Sequence, residues 1–104
     1  MQAEQHVATL PHSALDASAT YFAQYLGAAR ALLNDPGTQA LAIVLPAAGT
    51  DHDDWRCAIA RDLAREYTPK RVNVVGGSGA ALIETLAYLG NAPGVTGQYC
   101  PLYE

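Results

Sequence analysis

Apolar and polar residues alternate along the chain in short segments that are separated by turn-forming residues. Residues 40–45 (ALAIVL) carry no polar side chain, which is typical of a strand covered on both faces in the middle of a parallel sheet. Residues 6–10 (HVATL) and 71–75 (RVNVV) are short runs with β-branched side chains and predict two further strands. Residues 95–103 predict a last short strand, which Pro101 confines to a sheet edge or to its first residues.

The first segment between these strands has the spacing of a helix. Ser13 followed by Asp16 resembles a capping box and begins a predicted helix that extends to about Leu33. Its apolar positions form two adjoining stripes, which together cover an arc of roughly 160° at about 100° per residue. An arc of this width indicates two packing neighbours rather than one. The stripes consist of Phe22, Leu26, Ala29 and Leu33, and of Tyr21, Tyr25, Ala28 and Leu32.

Two more helices complete the pattern. One begins near Asp53, with Arg56 assigned to a face away from the core, and the other covers residues 78–89. The apolar stripe of the former consists of Trp55, Ile59 and Leu63. Strands and helices therefore alternate, which predicts an α/β fold with a mainly parallel sheet of three to four strands and three helices, in two or three layers. With 104 residues in all, the chain is predicted to form a single domain.

Charge and hydropathy exclude several classes of protein. Six basic residues against ten acidic ones give a formal net charge of −4, whereas nucleic-acid binders usually carry a basic excess. No apolar run approaches the ~20 residues of a transmembrane helix, and residues 1–10 lack the pattern of a signal peptide. Cys57 and Cys100 have no metal-ligand spacing and cannot hold a scaffold together by themselves. We therefore expect a cytoplasmic globular protein that binds neither nucleic acid nor membranes.

Two stretches of the sequence resemble a known family. Residues 63–75 (LAREYTPKRVNVV) resemble the end of the active-site helix and the following strand of the short-chain dehydrogenases/reductases. Residues 83–89 (IETLAYL), followed by residues 95–98 (VTGQ), resemble that family's last helix and the approach to its final strand. The resemblance covers about residues 40–100. It implies a truncated Rossmann-like fold that corresponds to the C-terminal half of the family's dinucleotide-binding domain, strands four to seven.

The resemblance assigns no catalytic residue to this chain. The family's catalytic tyrosine and lysine stand four residues apart and would fall on Gly49 and Asp53, and its serine would fall within residues 46–48 (PAA). Hydride transfer of this type needs a phenol whose pKa is lowered by a nearby ammonium group. The half of the fold with the family's glycine-rich cofactor turn is also absent, so no complete motif supports NAD(P) binding. The resemblance therefore implies a retained scaffold without the family's chemistry.

A glycine-rich turn is the main candidate for a binding site. Gly76, Gly77, Ser78 and Gly79 lie between a predicted strand and a predicted helix, where backbone N–H groups and the helix dipole can hold a phosphate or a carboxylate. The turn does not match a dinucleotide-binding fingerprint, since the third glycine would fall on Leu82. An ordinary strand-to-helix turn with Ser78 as the cap explains the same residues. The sequence leaves both interpretations open.

Two weaker candidates have simpler explanations. Residues 51–54 (DHDD), with His12 elsewhere, contain metal-ligating types, but adjacent residues rarely converge on one ion and the acids suit a helix N-terminus. Cys57 is a candidate nucleophile only if a base such as His52 or His6 lies beside it, and a single helical cysteine is usually a packing residue. We therefore predict neither a metal site nor a catalytic residue.

An incomplete fold predicts a surface for another protein. If strands are added in sequence order through right-handed crossovers, all helices lie on one face of the sheet. The apolar side chains of residues 40–45 on the other face then have to be covered by another protein surface. In the resembled family, the helices on either side of the middle strand pack against a second subunit. The predicted interface residues are Tyr21, Phe22, Tyr25, Leu26, Ala29, Leu32, Trp55, Ile59 and Leu63.

Two functions follow from these observations. The first is a non-catalytic module that forms a homodimer or docks on a partner protein. The alternative is a small nucleotide- or anion-binding domain, or an oxidoreductase component, that uses the turn at residues 76–79 alone or with a second chain.

Overall fold

All the strands of the sheet are parallel and follow one another in sequence order, β1-β2-β3-β4. The computed structural model describes residues 1–102, and within them the elements are β1 (Gln2–His6), α1 (Ala14–Gln24), α2 (Leu26–Asn34), β2 (Ala40–Leu45), a short 3-10 helix (Thr50–His52), α3 (Asp53–Glu66), β3 (Arg71–Gly76), α4 (Gly79–Gly90) and β4 (Tyr99–Pro101). This arrangement confirms the predicted α/β, Rossmann-like fold with a parallel sheet.

β2 lies in the interior of the sheet, and all six of its residues are buried, as the apolar run predicts. Strand register places Ala3, Leu41 and Val72 side by side, so their side chains point to the same face. This face is covered by α1, α2 and α3, whose buried residues Tyr21, Leu33 and Ile59 belong to the same apolar cluster. The main core therefore lies between one face of the sheet and three helices.

The last helix, α4, covers the opposite face. Gln2 and Arg71 lie in register with Ala40, and their side chains donate hydrogen bonds to α4, from Gln2 Nε2 to the Leu86 carbonyl at 3.1 Å and from Arg71 Nη1 to the Leu89 carbonyl at 2.8 Å. The sequence-based expectation that all helices share one face is therefore wrong. Because the strands are parallel and sequential, the crossover through α4 has the opposite hand to the crossovers through α2 and α3.

The first strand is displaced from its predicted position, covering Gln2–His6 instead of residues 6–10. The reason lies in β2. Val7 N–H donates to the Val44 carbonyl at 2.9 Å, and the next bond of a parallel ladder would require an N–H group on Pro46. Proline has none, so the pairing ends there and the chain turns away from the sheet.

The predicted helix between Ser13 and Leu33 is divided into α1 and α2 at Tyr25. Its start is confirmed, because Ser13 Oγ accepts a hydrogen bond of 3.1 Å from the Asp16 N–H. At the break, Gln5 Nε2 on β1 donates to the Tyr25 carbonyl at 2.8 Å, and Gln5 Oε1 accepts from the buried Tyr21 hydroxyl at 2.9 Å. The side chain of Gln5 therefore joins the break to the edge of the sheet.

Because Tyr21 is buried, the free energy of unfolding is expected to decrease in alkaline solution. Burial raises the pKa of its phenol above the ordinary value of 10.0. Above about pH 10 the unfolded chain releases this proton while the folded chain retains it, so stability that is fully present at lower pH decreases as pH rises toward the native pKa. We expect this group to lower the free energy of unfolding by up to about 1.4 kcal/mol per pH unit above pH 10, measured by urea denaturation. The variant Tyr21→Phe should lose this component, and an identical pH dependence in both proteins would contradict the assignment.

The C-terminal strand is short. β4 (Tyr99–Pro101) pairs with β3 at the edge of the sheet, which agrees with the restriction that Pro101 imposes. The last residue of the predicted strand, Tyr103, lies outside the described residues. Among the helices of residues 1–102, none has the length and apolar character needed to cross a membrane.

Candidate functional site

A cavity of about 390 Å³ lies at the carboxyl ends of β1 and β2. In parallel α/β sheets, ligands usually bind outside this edge. The loop after β1 forms one wall of the cavity, and the loop after β2 with the start of α3 forms the other. The lining residues are Leu10, Pro11, His12, Pro46, Ala47, Ala48, Gly49, Asp51, His52 and Arg56.

Arg56 is the most unusual residue in the cavity wall. Its side chain is only 1% exposed, although an arginine is rarely buried without a charged partner. Nη1 donates to the Pro46 carbonyl at 2.8 Å and to the Tyr99 hydroxyl at 3.1 Å. The guanidinium carbon lies 5.3 Å from the centre of the Trp55 ring and 5.6 Å from that of Tyr99, within range of cation–π attraction.

The sequence-based assignment of Arg56 to a face away from the core is therefore wrong. Arg56 precedes Ile59, Ala60 and Leu63 by three, four and seven residues, which is the spacing of one helix face. All four residues are buried in α3. The positive charge suggested exposure, whereas the spacing alone would have placed Arg56 on the buried face.

His52 has a structural role in this wall. The Trp55 indole N–H donates to His52 Nδ1 at 3.1 Å, so Nδ1 is the acceptor and the ring proton lies on Nε2. Nε2 in turn lies 3.0 Å from the His12 carbonyl oxygen, to which it donates. Both ring nitrogens form hydrogen bonds, and through them the ring connects the loop after β1 to the start of α3.

The positions that the family resemblance assigns to catalysis also lie at this edge. Gly49 and Pro46 line the cavity, and Asp53 is the first residue of α3. The only lysine of the sequence, Lys70, precedes β3 and thus lies at the amino end of the sheet. Its Nζ donates to backbone carbonyls, including that of Asp35 at 3.0 Å. Within residues 1–102, the structure brings no lysine and tyrosine together at the cavity.

Packing explains the glycines of the turn at residues 76–79. A Cβ on Gly76 would lie 2.6 Å from the Tyr99 hydroxyl oxygen and 2.9 Å from Arg56 Nη1. Gly77 has a φ of +148°, and a Cβ there would lie 2.8 Å from Leu102 Cβ. Ser78 is the N-cap residue of α4 by position, without a side-chain capping bond to the helix. An anion at this turn stays a prediction, because the glycines are required for packing in any case.

The predicted interface residues divide into two groups. Four are buried within the chain and five retain accessible surface, and Phe22, Leu26, Ile59 and Leu63 line a groove of about 180 Å³ between α1, α2 and α3. The buried group is Tyr21, Ala29, Ile59 and Leu63, and the accessible group is Phe22, Tyr25, Leu26, Leu32 and Trp55. Phe22 is the most exposed of them, at 50%. The interface stays a prediction, and any partner would meet mainly the accessible group.

The other candidate groups are not assembled into a site. Within residues 1–102, no three His, Cys, Asp or Glu side chains are grouped as metal ligands. Both cysteines are free, and burial raises the pKa of the Cys100 thiol above its usual value, which disfavours the reactive thiolate.

Comparison with known proteins identifies the family. A family model described as "SDR-like: Short chain dehydrogenase-like protein" matches residues 5–102. No curated protein and no solved structure matches the chain. The family match covers nearly the whole chain, and it agrees with the parallel sheet and with the cavity at the carboxyl ends of its strands. The chain belongs to the short chain dehydrogenase-like protein family.

Proposed function

We propose that this chain is a non-catalytic member of its family, a pseudoenzyme that binds a second copy of itself. The proposal depends above all on one observation, the chemistry of the cavity. Among residues 1–102, its lining contains no tyrosine, lysine or serine, the three residue types that the family uses for hydride transfer. The family resemblance places Asp53 at the position of the catalytic lysine, which implies a reversed charge there.

The described residues, 1–102, offer no ammonium group at the cavity to replace the family's lysine. Lys70 is held at the opposite end of the sheet, and the cation nearest the cavity is the guanidinium of Arg56. Guanidinium retains its charge, but it cannot give up a proton at physiological pH. A proton relay of the family's type, which needs a phenol beside an ammonium group, therefore lacks both groups in the lining that residues 1–102 give the cavity.

The groove between α1, α2 and α3 supports self-association. Its walls combine apolar groups with Arg30 from α2 and Asp62 and Glu66 from α3. A two-fold interface brings the same patch of both copies together, so a patch with charges of both signs can be complementary to itself. Phe22 projects beside this groove and supplies the aromatic anchor that usually dominates binding energy.

We also propose a cytoplasmic location, which the two free cysteines support, since thiols stay reduced in that compartment.

Self-association predicts that Phe22→Asp separates the dimer. The change places a carboxylate in the apolar part of the interface, and we expect a loss of at least about 2 kcal/mol. That corresponds to about a thirtyfold higher dissociation constant, measured by sedimentation equilibrium or by light scattering behind size exclusion. The matched control is Ile83→Asp, which changes an equally apolar side chain, 71% exposed, on α4 at the opposite face of the sheet.

The outcomes separate the possible surfaces. Loss of the dimer in Phe22→Asp but not in Ile83→Asp supports the groove. Dissociation by Ile83→Asp alone assigns the interface to α4 and rejects the groove. A wild-type chain that stays monomeric up to millimolar concentration rejects self-association altogether.

A further inference from the structure

Arg56 combines a buried positive charge with the absence of a counter-ion. Its guanidinium forms an ion pair with no carboxylate of residues 1–102. Arginine cannot shed its charge, so the unfavourable free energy of burying it has to be offset by hydrogen bonds or by an anion. Two neutral acceptors and two aromatic rings are the contacts present.

The hydrogen bonds occupy only one part of the guanidinium. Nη1 supplies both of them, and Nε has no acceptor in the part of the chain that the structure describes. Nη2 also takes part in none of the hydrogen bonds found for this side chain. Nε and Nη2 carry parallel N–H groups on one edge of the guanidinium plane, and this edge matches the two oxygens of a carboxylate.

The cavity beside Arg56 determines which anions fit. Polar and apolar groups contribute about equally to its walls, with Leu10, Pro11 and Ala47 among the apolar ones. A volume of about 390 Å³ lies at the lower end of the range for small-molecule sites, about 300–1,000 Å³. Asp51 also lines the cavity, and its carboxylate, 68% exposed, repels an entering anion. An anion with an apolar body is favoured over one that is charged throughout.

We propose that this cavity binds a small organic monocarboxylate. The carboxylate contacts Arg56 from the Nε and Nη2 edge, and the apolar body lies against the proline and alanine side chains of the wall. Binding supplies the counter-ion that the buried guanidinium lacks. The site is separate from the groove between α1, α2 and α3, so it does not depend on self-association.

Nuclear magnetic resonance tests the proposal directly, with butyrate as the probe and its uncharged amide, butyramide, as the control. We expect butyrate to shift the Arg56 Nε–H signal and the amide signals of Ala47 and Ala48 in a saturable way. Butyramide has the same apolar body without the charge and should bind at least about tenfold more weakly. Inorganic phosphate should also bind more weakly, because it has no apolar body.

Two charge-matched variants test the position of the site without altering the core. Asp51→Asn removes the repelling carboxylate and should tighten butyrate binding several-fold. Glu84→Gln makes the same change of charge at an exposed position of α4, outside the cavity lining and outside the groove between α1, α2 and α3, and should leave the affinity unchanged. Arg56→Lys keeps the charge but not the paired N–H groups, so it should weaken binding by about tenfold or more.

Each remaining outcome counts against the proposal. Absence of a saturable shift with butyrate rejects the site. Equal binding of butyrate and butyramide rejects the role of Arg56, and phosphate binding as tight as that of butyrate rejects the monocarboxylate. Equal effects of Asp51→Asn and Glu84→Gln place the binding outside the cavity.

Discussion

Replacing Tyr21 by alanine is expected to remove about 3–5 kcal/mol from the free energy of unfolding. The side chain is 0% exposed, and its ring lies 6.1 Å from that of Tyr25 and 6.0 Å from that of Trp55, centre to centre. The deletion leaves a cavity between α1 and α3 and removes the donor to Gln5 Oε1. Domains of this size are stable by about 5–15 kcal/mol, so a large part of the stability is lost. Urea denaturation followed by circular dichroism measures the change.

The adjacent residue provides the control for Tyr21. Phe22 has a ring of similar size but is half exposed, so Phe22→Ala should cost less than about 1 kcal/mol in the isolated chain. Tyr21→Phe should be intermediate, at about 1–3 kcal/mol, because only the buried acceptor loses its partner. Equal losses for Tyr21→Ala and Phe22→Ala would mean that α1 packs with a different face toward the sheet.

Replacing Gly77 by valine is expected to destabilise the fold by about 2–6 kcal/mol. A side chain at a φ of +148° costs about 1–3 kcal/mol in backbone strain. Contact with Leu102, only 2.8 Å from the new Cβ, adds about 1–3 kcal/mol of overpacking. Thermal denaturation without any ligand measures the effect.

Gly94 is the matched position for this change. Its φ is ordinary and nothing lies within 4 Å of an added Cβ, so Gly94→Val should change the unfolding free energy by less than about 0.5 kcal/mol. A Gly77→Val protein as stable as the wild type would show that Leu102 is not packed on the turn. In that case packing would not explain Gly77, and an anion site would again be an explanation for the glycines at residues 76–79.

Much of the fold follows from local pattern. The uninterrupted apolar run of β2 and the β-branched residues of β3 specify interior strands, and both lie where the sequence predicts them. The position of the first strand does not follow from local pattern. The β-propensity of Val7 and Thr9 favours a strand at these residues, but strand pairing ends after Val7 because Pro46 has no N–H group to donate. The break at Tyr25 likewise depends on Gln5, twenty residues away in sequence.

The candidate site was predictable only in part. The sequence pattern placed the main candidate site at residues 76–79, and the resemblance implied the loss of the family's catalytic groups, but the cavity itself needed the geometry of two loops. Arg56 escaped prediction because a charge normally indicates exposure. Its burial depends on the Pro46 carbonyl, Trp55 and Tyr99, and no local pattern brings these three groups together.

The solitary position of α4 makes the two faces of the sheet unequal in their resistance to local opening. Three helices support one another over the main core, whereas α4 has no helical neighbour over its own face within residues 1–102 and carries exposed Ile83 and Tyr88. If α4 detaches, the buried residues Ala42 and Val44 of the sheet face solvent while the rest of the fold remains intact. Such an opened form presents a flat apolar strip, so aggregation of this protein would begin on that face.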